Sequence, residues 1–264
     1  MDLAESLGHR LPSEQRHPWE EARFEFIMHL IGETLTLNTG DIVVDIGCGD
    51  AYVTEQLAAC FPDAKFYAVD PAFTDEFLER HRATAQPNIL FFRTTNELAD
   101  KLREQTATLI LLTDVIEHIE DDAAFLRSLC RQKFCAATTH LLITVPAFQS
   151  LNTARDKALG HFRRYTNASL RALLSKSGLR DLSHGYFFFS LVGVRLLRVI
   201  GERMFGSKKS NETDLLTWRK SSFATRAALA LLRTDLLIMR ALRRIGINPI
   251  GLSNYCICIP NVNG

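Results

Sequence analysis

No two of the six cysteines of this 264-residue chain (Cys48, Cys60, Cys130, Cys135, Cys256 and Cys258) stand at C-x-x-C spacing. That removes the zinc knuckle and the dithiol redox motif, and reduced, buried thiols are expected, with no metal site. No apolar run approaches the roughly 18 residues of a membrane span. The most apolar one, Tyr186 to Val194, stops at Arg195. The opening stretch "MDLAESLGHRLPSEQRHP" has no apolar core region, so no signal peptide and a reducing, cytoplasmic setting are expected. Net charge is nearly absent as well. At +1, with 47% hydrophobic and 23% charged residues, the composition is that of a globular chain with ample core material, and bulk charge selects no partner.

The distribution of charge is more informative. Residues 190 to 250 hold twelve Lys and Arg against four Asp and Glu, a local net of +8 that leaves −7 for the rest of the chain. This asymmetry marks the late segment as a candidate surface for anionic partners. Nucleic acid is disfavoured, because no aromatic residues interleave the basic ones and no recognition module is visible.

Neither internal repeats nor low-complexity tracts interrupt the pattern that is present. Phe24, Ile27, Met28, Ile31 and Leu35 recur at three- and four-residue steps and predict an amphipathic helix. From Gly40 strands and helices alternate: "DIVVDIG", "KFYAVD", "NILFFRT", "TLILLTD" and "HLLITVPA" read as strands separated by helical patterns. Such alternation implies right-handed crossovers and a parallel sheet covered on both faces. A capped helix at "NASLRALLSKSGL", a sixth strand at "RDLSHGYFFF", two basic helices between Ser190 and Arg244 broken at "GSKKSNETD", and a closing strand "NYCICI" complete the reading. The expected organisation is an N-terminal helical segment (1–40), a core (41–189), a basic helical cap (190–248) and a closing strand (249–264). The fold class is α/β, a Rossmann-like, mostly parallel seven-stranded sheet with helices on both faces.

In an open α/β sheet the ligand sits beyond the carboxyl ends of the strands, beside the first crossover. "VVDIGCGDAY" occupies that place. A dinucleotide pyrophosphate wants three glycines there. Here Tyr52 takes the third place, and Asp45 and Asp50 flank Gly47 and Gly49. Two carboxylates oppose a pyrophosphate but suit a cofactor that carries an ammonium and a sulfonium, by about 4 kcal/mol per pair before desolvation. Asp70 ends the next strand, where a carboxylate can accept ribose hydroxyls.

With "YAVD", "LTDVIEHIEDD" and "TVP" following in order, the chain resembles the class I S-adenosylmethionine-dependent methyltransferases, especially their small-molecule branch, over roughly residues 40 to 185. The resemblance implies S-adenosylmethionine as cofactor and S-adenosylhomocysteine as product. It implies Asp45, Gly47 and Gly49 around the methionine end, with Cys48 and Tyr52 in the same loop, and Asp70 with Pro71 at the ribose. Asp114 and Val115 would line the other side. Where many relatives have an Asp for the adenine amino group, "FFRTTNEL" offers Thr94 and Thr95. Glu117 and His118 would open the following helix near the substrate.

The implied activity is methyl transfer to a small or lipid-like acceptor, most simply at oxygen, with N- or C-methylation and a non-catalytic cofactor-binding scaffold as the alternatives. A hydroxyl acceptor invites a general base, for which His118 and His161 are the candidates. In "GHFRRYT", Arg163, Arg164 and Tyr165 are candidates to bind an anionic or hydroxylated acceptor, or to tie loop to domain. For the basic cap three readings stand: a lid over a lipophilic substrate, a surface resting on anionic membrane, and a homodimer contact.

Overall fold

The computed structural model describes residues 16–205 and 221–261. Expectations that fall elsewhere, notably the polar break at "GSKKSNETD" and the first fifteen residues, lie outside the described residues.

Helix α1 (Pro18–Thr34) starts where a proline at the first helical position meets His17, whose ring accepts the Trp19 amide at 3.1 Å. The alternation then runs β1 (Ile42–Ile46), α2 (Tyr52–Cys60), β2 (Lys65–Val69), α3 (Asp75–Thr84), β3 (Ile89–Phe92), α4 (Thr95–Leu102), β4 (Leu109–Thr113), α5 (Asp122–Cys130) and β5 (His140–Pro146). Short α6 (Ala154–Ala158), α7 (Asn167–Lys176), β6 (Leu179–Phe187), α8 (Ser190–Phe205), α9 (Ser222–Arg244) and β7 (Ser253–Pro260) follow.

The seven strands form one sheet in the order β3-β2-β1-β4-β5-β7-β6. Five are parallel neighbours, and β7 inserts antiparallel between β5 and β6. Strand residues alternate between two apolar layers, as the two-residue period of a pleated strand demands. Val44, Ile110 and Ile143 enter one layer, and Val43, Leu109, Leu111 and Leu142 the other. β1 and β4 are buried at all five positions, which is why they read in sequence as near-continuous apolar runs, interrupted by Asp45 in β1 and closed by Thr113 in β4.

Helix α1 covers the second layer, where Phe26 stacks on Phe187 at 4.5 Å and meets Tyr255 edge-on at 5.4 Å. Leu232, Leu236 and Met239 of α9 are buried, as their spacing predicts, and Arg233 of α9 chelates Glu25 of α1. Helix α8 leans instead on the loop after β5, with Arg195 Nε donating to the Leu151 carbonyl at 3.0 Å. Ser190, at the start of α8, is tied to Asp235 of α9 by its amide and its hydroxyl. All six cysteines are free thiols, but only Cys135, Cys256 and Cys258 are buried as expected; Cys48 and Cys130 are half-buried and Cys60, at the end of α2, is exposed.

Candidate functional site

The turn after β1 is built for close approach. Gly47 and Gly49 both have left-handed backbones, φ +69° and +60°, and the Gly47 amide donates to the Val69 carbonyl at 2.8 Å, which hangs the loop over the end of β2. A Cβ on Gly47 would lie 2.7 Å from Val115 Cγ2, so only a glycine leaves the space between loop and Val115 open. Two non-glycine residues share the left-handed conformation here, Ala51 just before α2 and Asp114 just after β4. Such strain is typical of ligand-handling turns.

Beside this loop a crevice opens, walled by Gly47, Cys48, Gly49, Asp50, Tyr52, Val53 and Thr113 on the core side and by Arg16, Trp19, Glu20 and Arg23 from the α1 end. The helix expected over the cofactor therefore supplies polar groups to it. Reading α1 for its apolar face alone missed these four residues. The available signal was the spacing: Arg16 and Glu20, and Trp19 and Arg23, are each four apart in "RHPWEEAR".

These arginines change the electrostatics expected from bare carboxylates. Arg16 Nη2 meets Asp50 at 2.5 Å and its guanidinium lies 4.0 Å above the Tyr52 ring. Arg23 pairs with Asp114, whose other oxygen accepts the Thr144 hydroxyl at 3.3 Å. Asp45 is buried; one oxygen accepts the Thr54 hydroxyl at 2.6 Å while Oδ1 has no partner among the described residues. Burial pushes the Asp45 carboxyl up to about 6, against the pull of the Thr54 hydrogen bond and Arg23. The crevice thus alternates cationic and anionic groups. Burial, followed by the charges of Asp45, Asp70 and Asp50, pushes the Cys48 thiol up, so it is no nucleophile.

Asp70 stands at the end of β2 as expected, but it is buried, and its two oxygens accept the Gly49 and Ala72 amides at 2.9 Å each. It braces the glycine loop, with a second lone pair left on each oxygen. Pro71, Thr94 and Thr95 do not wall the crevice. Thr94 caps α4 by accepting the Glu97 amide at 3.2 Å. Tyr52, standing where a third glycine would, opens α2 and carries Arg16.

Glu117 and His118 do not open a helix. They sit on a 3₁₀ turn (Ile116–His118), and α5 begins only at Asp122, capped by Asp121. Asp121 can accept the Ala124 amide, so the helix starts there. Glu117 is wholly buried, with neither carboxylate oxygen partnered among the described residues. Burial, reinforced by the Asp114 charge, pushes its carboxyl well above the usual range.

The loop carrying His161 is pinned to this turn by the Phe162 amide, which donates to the Glu117 carbonyl at 2.8 Å. The rings of His118 and His161 meet edge-on at 4.6 Å. The other candidates of that stretch turn toward the protein. Arg163 bonds Asp122 at 2.7 Å and the Glu120 carbonyl at 2.6 Å. Arg164 grips Asp156 by Nε and Nη2 at 2.8 and 2.6 Å. The Tyr165 hydroxyl donates to Asp122 at 2.8 Å. These contacts match the second of the two readings, loop tied to domain: the near-buried Arg164 and Tyr165 find their partners within the protein, and partly exposed Arg163 bridges to Asp122.

Comparison with known proteins bears on this geometry. A family model described as a methyltransferase domain matches residues 19–184. No curated protein matches. Among solved structures, the fold is similar to a candidate sarcosine dimethylglycine methyltransferase from Galdieria sulphuraria, at 14% identity and TM-score 0.54, covering 90% of this chain and 84% of that one. It is also similar to phosphoethanolamine N-methyltransferase 2 of Haemonchus contortus in complex with S-adenosyl-L-methionine, at 16% identity and TM-score 0.53, covering 92% of this chain and 53% of that one.

Proposed function

The chain belongs to the class I S-adenosylmethionine-dependent methyltransferases, and from that premise we propose that it methylates a hydroxyl oxygen of a small or lipid-like acceptor at a membrane surface. The observation that carries the cofactor assignment is the crevice beside Gly47: a cradle that a Cβ would fill, a wall that carries Arg16 and Arg23 together with Glu20 and Asp50, and, two residues before Gly47, an orphaned buried Asp45 oxygen. The amino-acid end of S-adenosylmethionine is a zwitterion, and this wall answers both of its charges. Asp45 Oδ1 would accept from the ammonium, Arg16 and Arg23 would answer the carboxylate, and Gly47 and Gly49 would let the backbone approach. When bound, the cofactor supplies a methyl group already activated on a sulfonium. The protein's own task is to hold the acceptor oxygen in line with it and to exclude water. For the hydroxyl proton the candidates are His118, three residues after Val115, and His161, whose ring meets it edge-on.

The lipid-like acceptor and the membrane are supported by the outer face of α8 and α9. Leu197, Phe223 and Ile245 are 73%, 82% and 71% exposed, and Val194, Met204, Leu231, Leu237 and Ile238 are exposed beside them. A helix apolar on its buried and its outer face needs a second apolar neighbour. Arg226 and Arg244 on α9 suit an anionic headgroup layer. No helix among the described residues is long and apolar enough to cross a membrane.

The purified chain should bind S-adenosylhomocysteine and not NAD in calorimetry, co-sediment with anionic but not neutral vesicles, and transfer radiolabelled methyl to hydroxyl-bearing lipids. Binding without release of S-adenosylhomocysteine, across hydroxyl, amine and carbon acceptors, would make it a scaffold.

The Asp45 carboxyl sets a pH dependence. Titrating at about 6, it is mostly neutral at pH 5 and mostly ionised at pH 7, and only the ionised form attracts an ammonium. Affinity for S-adenosylhomocysteine should therefore tighten over that range by up to about tenfold. The same raised value acts oppositely on stability, contributing fully below the unfolded value near about 3.9 and vanishing as pH rises through about 6. Calorimetry across pH checks the first statement, and Asp45→Asn should flatten the profile.

A further inference from the structure

We propose that Glu117, His118 and His161 bind a divalent transition-metal ion, with an oxygen of the acceptor completing its coordination. The second clause rests on the methyl-transfer reading above, and the first stands without it.

One ligand atom from each of the three residues lies within 4.8 Å of the other two. Donors about 2.1 Å from a shared ion stand roughly 3.4 Å apart, so a closure of about an ångström or more brings them to bonding distance. Glu117 supplies the independent sign of a missing partner. It is completely buried, and both carboxylate oxygens lack any hydrogen bond among the described residues. Two unpartnered oxygens on a buried carboxyl group are costly to hold, and buried carboxylates are characteristically paired or bound to metal.

The histidine side is prepared in the manner of a ligand. His161 Nδ1 faces Asp156 Oδ1 at 3.2 Å. Metal-bound histidines characteristically donate their other ring N–H to a carboxylate, which fixes the tautomer and orients the ring. With Nδ1 so engaged, Nε2 is the His161 atom with a free lone pair. Asp156 is itself immobilised by Arg164, Arg195 and Thr153, so the carboxylate that orients His161 is rigid. The backbone holds the same arrangement: the His161 amide donates to the Asp156 carbonyl at 2.8 Å, and the His118 amide to the Val115 carbonyl at 3.0 Å.

Two imidazoles and one carboxylate make a nitrogen-rich set suited to zinc, cobalt, manganese or ferrous iron rather than to magnesium or calcium. Three protein ligands also leave positions open, as in sites where an ion meets substrate. The location fits that use, because Val115, two residues before Glu117, is the residue packed against Gly47 at the crevice. An acceptor hydroxyl bound to the ion would lose its proton to solvent more readily, so the ion takes over the part given above to a histidine acting as base. Local spacing does not reveal the set, since Glu117 and His118 are adjacent and His161 follows 43 residues later.

The test uses the untagged full chain, stripped with chelator and titrated with Co²⁺ and Zn²⁺ while calorimetry and the visible absorption of bound cobalt are followed. The expected result is uptake of one ion per chain, weakened at least about tenfold in Glu117→Gln and in His161→Asn. Binding of S-adenosylhomocysteine by each variant reports that it is folded, and His118→Asn substitutes for either one that is not. Absence of stoichiometric uptake by wild-type chain that binds S-adenosylhomocysteine would overturn the site and leave the methyltransferase reading intact, as would equal uptake by the folded variants. Uptake by a chain that methylates no hydroxyl acceptor would keep the ion and remove its proposed role toward the acceptor.

Discussion

Replacing Asp156 by Asn should lower the stability of the whole chain by about 3 to 5 kcal/mol, the usual result of removing one partner from a buried charge cluster. Asp156 is 2% exposed. Its Oδ1 receives Nε and Nη2 of Arg164 at 2.8 and 2.6 Å and faces His161 at 3.2 Å. Its Oδ2 receives the amide and hydroxyl of Thr153 at 2.8 and 2.9 Å and a guanidinium N–H of Arg195. Burial alone would raise this carboxyl, but the His161 hydrogen bond and the charges of Arg164 and Arg195 hold it well below the ordinary range. An amide keeps the shape, loses the charge, and turns an N–H₂ toward donors, so two guanidinium groups are left buried without an anion. Arg195 already feels its surroundings, lowered to about 10 by burial and by Arg164.

Because the folded value of Asp156 is depressed, its contribution is present above the unfolded value near about 3.9 and is lost only as pH falls toward the folded one. The variant's deficit should thus be undiminished from pH 5 to 8. Urea unfolding would show a lower midpoint at unchanged slope. A midpoint equal to wild type would mean that the cluster contributes nothing. The comparison variant is Arg163→Ala, a partly exposed pair with Asp122 that should cost under about 1 kcal/mol.

Gly47→Val should abolish binding of S-adenosylhomocysteine, weakening it at least about a hundredfold. A β-branched residue at φ +69° is strained by roughly 1 to 2 kcal/mol. Its Cβ would begin 2.7 Å from Val115 Cγ2, adding roughly 1 to 3 kcal/mol of overpacking. The loop relieves both by moving into the crevice it borders, and about 3 kcal/mol is already more than a hundredfold in affinity. Calorimetry reads the loss, and a circular dichroism spectrum reports that the sheet persists. Retained affinity would place the cofactor elsewhere.

Both predictions turn on contacts of different legibility. Gly47 was visible in the sequence because the turn after a first buried strand makes a local demand, φ above zero and no side chain, that glycine satisfies alone. The strands themselves were legible for a similar reason: in "IVVDI" every residue but Asp45 is apolar because both faces of β1 are covered. Asp156 carried no such mark. In sequence it is one acid in a polar stretch, and its importance arises because α8 brings Arg195, 39 residues away, onto it.

What the sequence alone determined is therefore whatever repeats at short range: the alternation of strands and helices, the apolar stripes of α1 and α9, the glycine turn, and with them the methyltransferase fold. Tertiary structure decided the rest. It inserted β7 antiparallel between β5 and β6, matched Arg16 and Arg23 to Asp50 and Asp114, turned Arg164 and Tyr165 inward, and gathered Glu117 with two histidines. The reason is that periodicity reflects which side of an element is dry, a property of neighbouring residues. Which charge meets which depends on how distant segments pack, and a charged side chain at any polar position looks the same until its partner arrives.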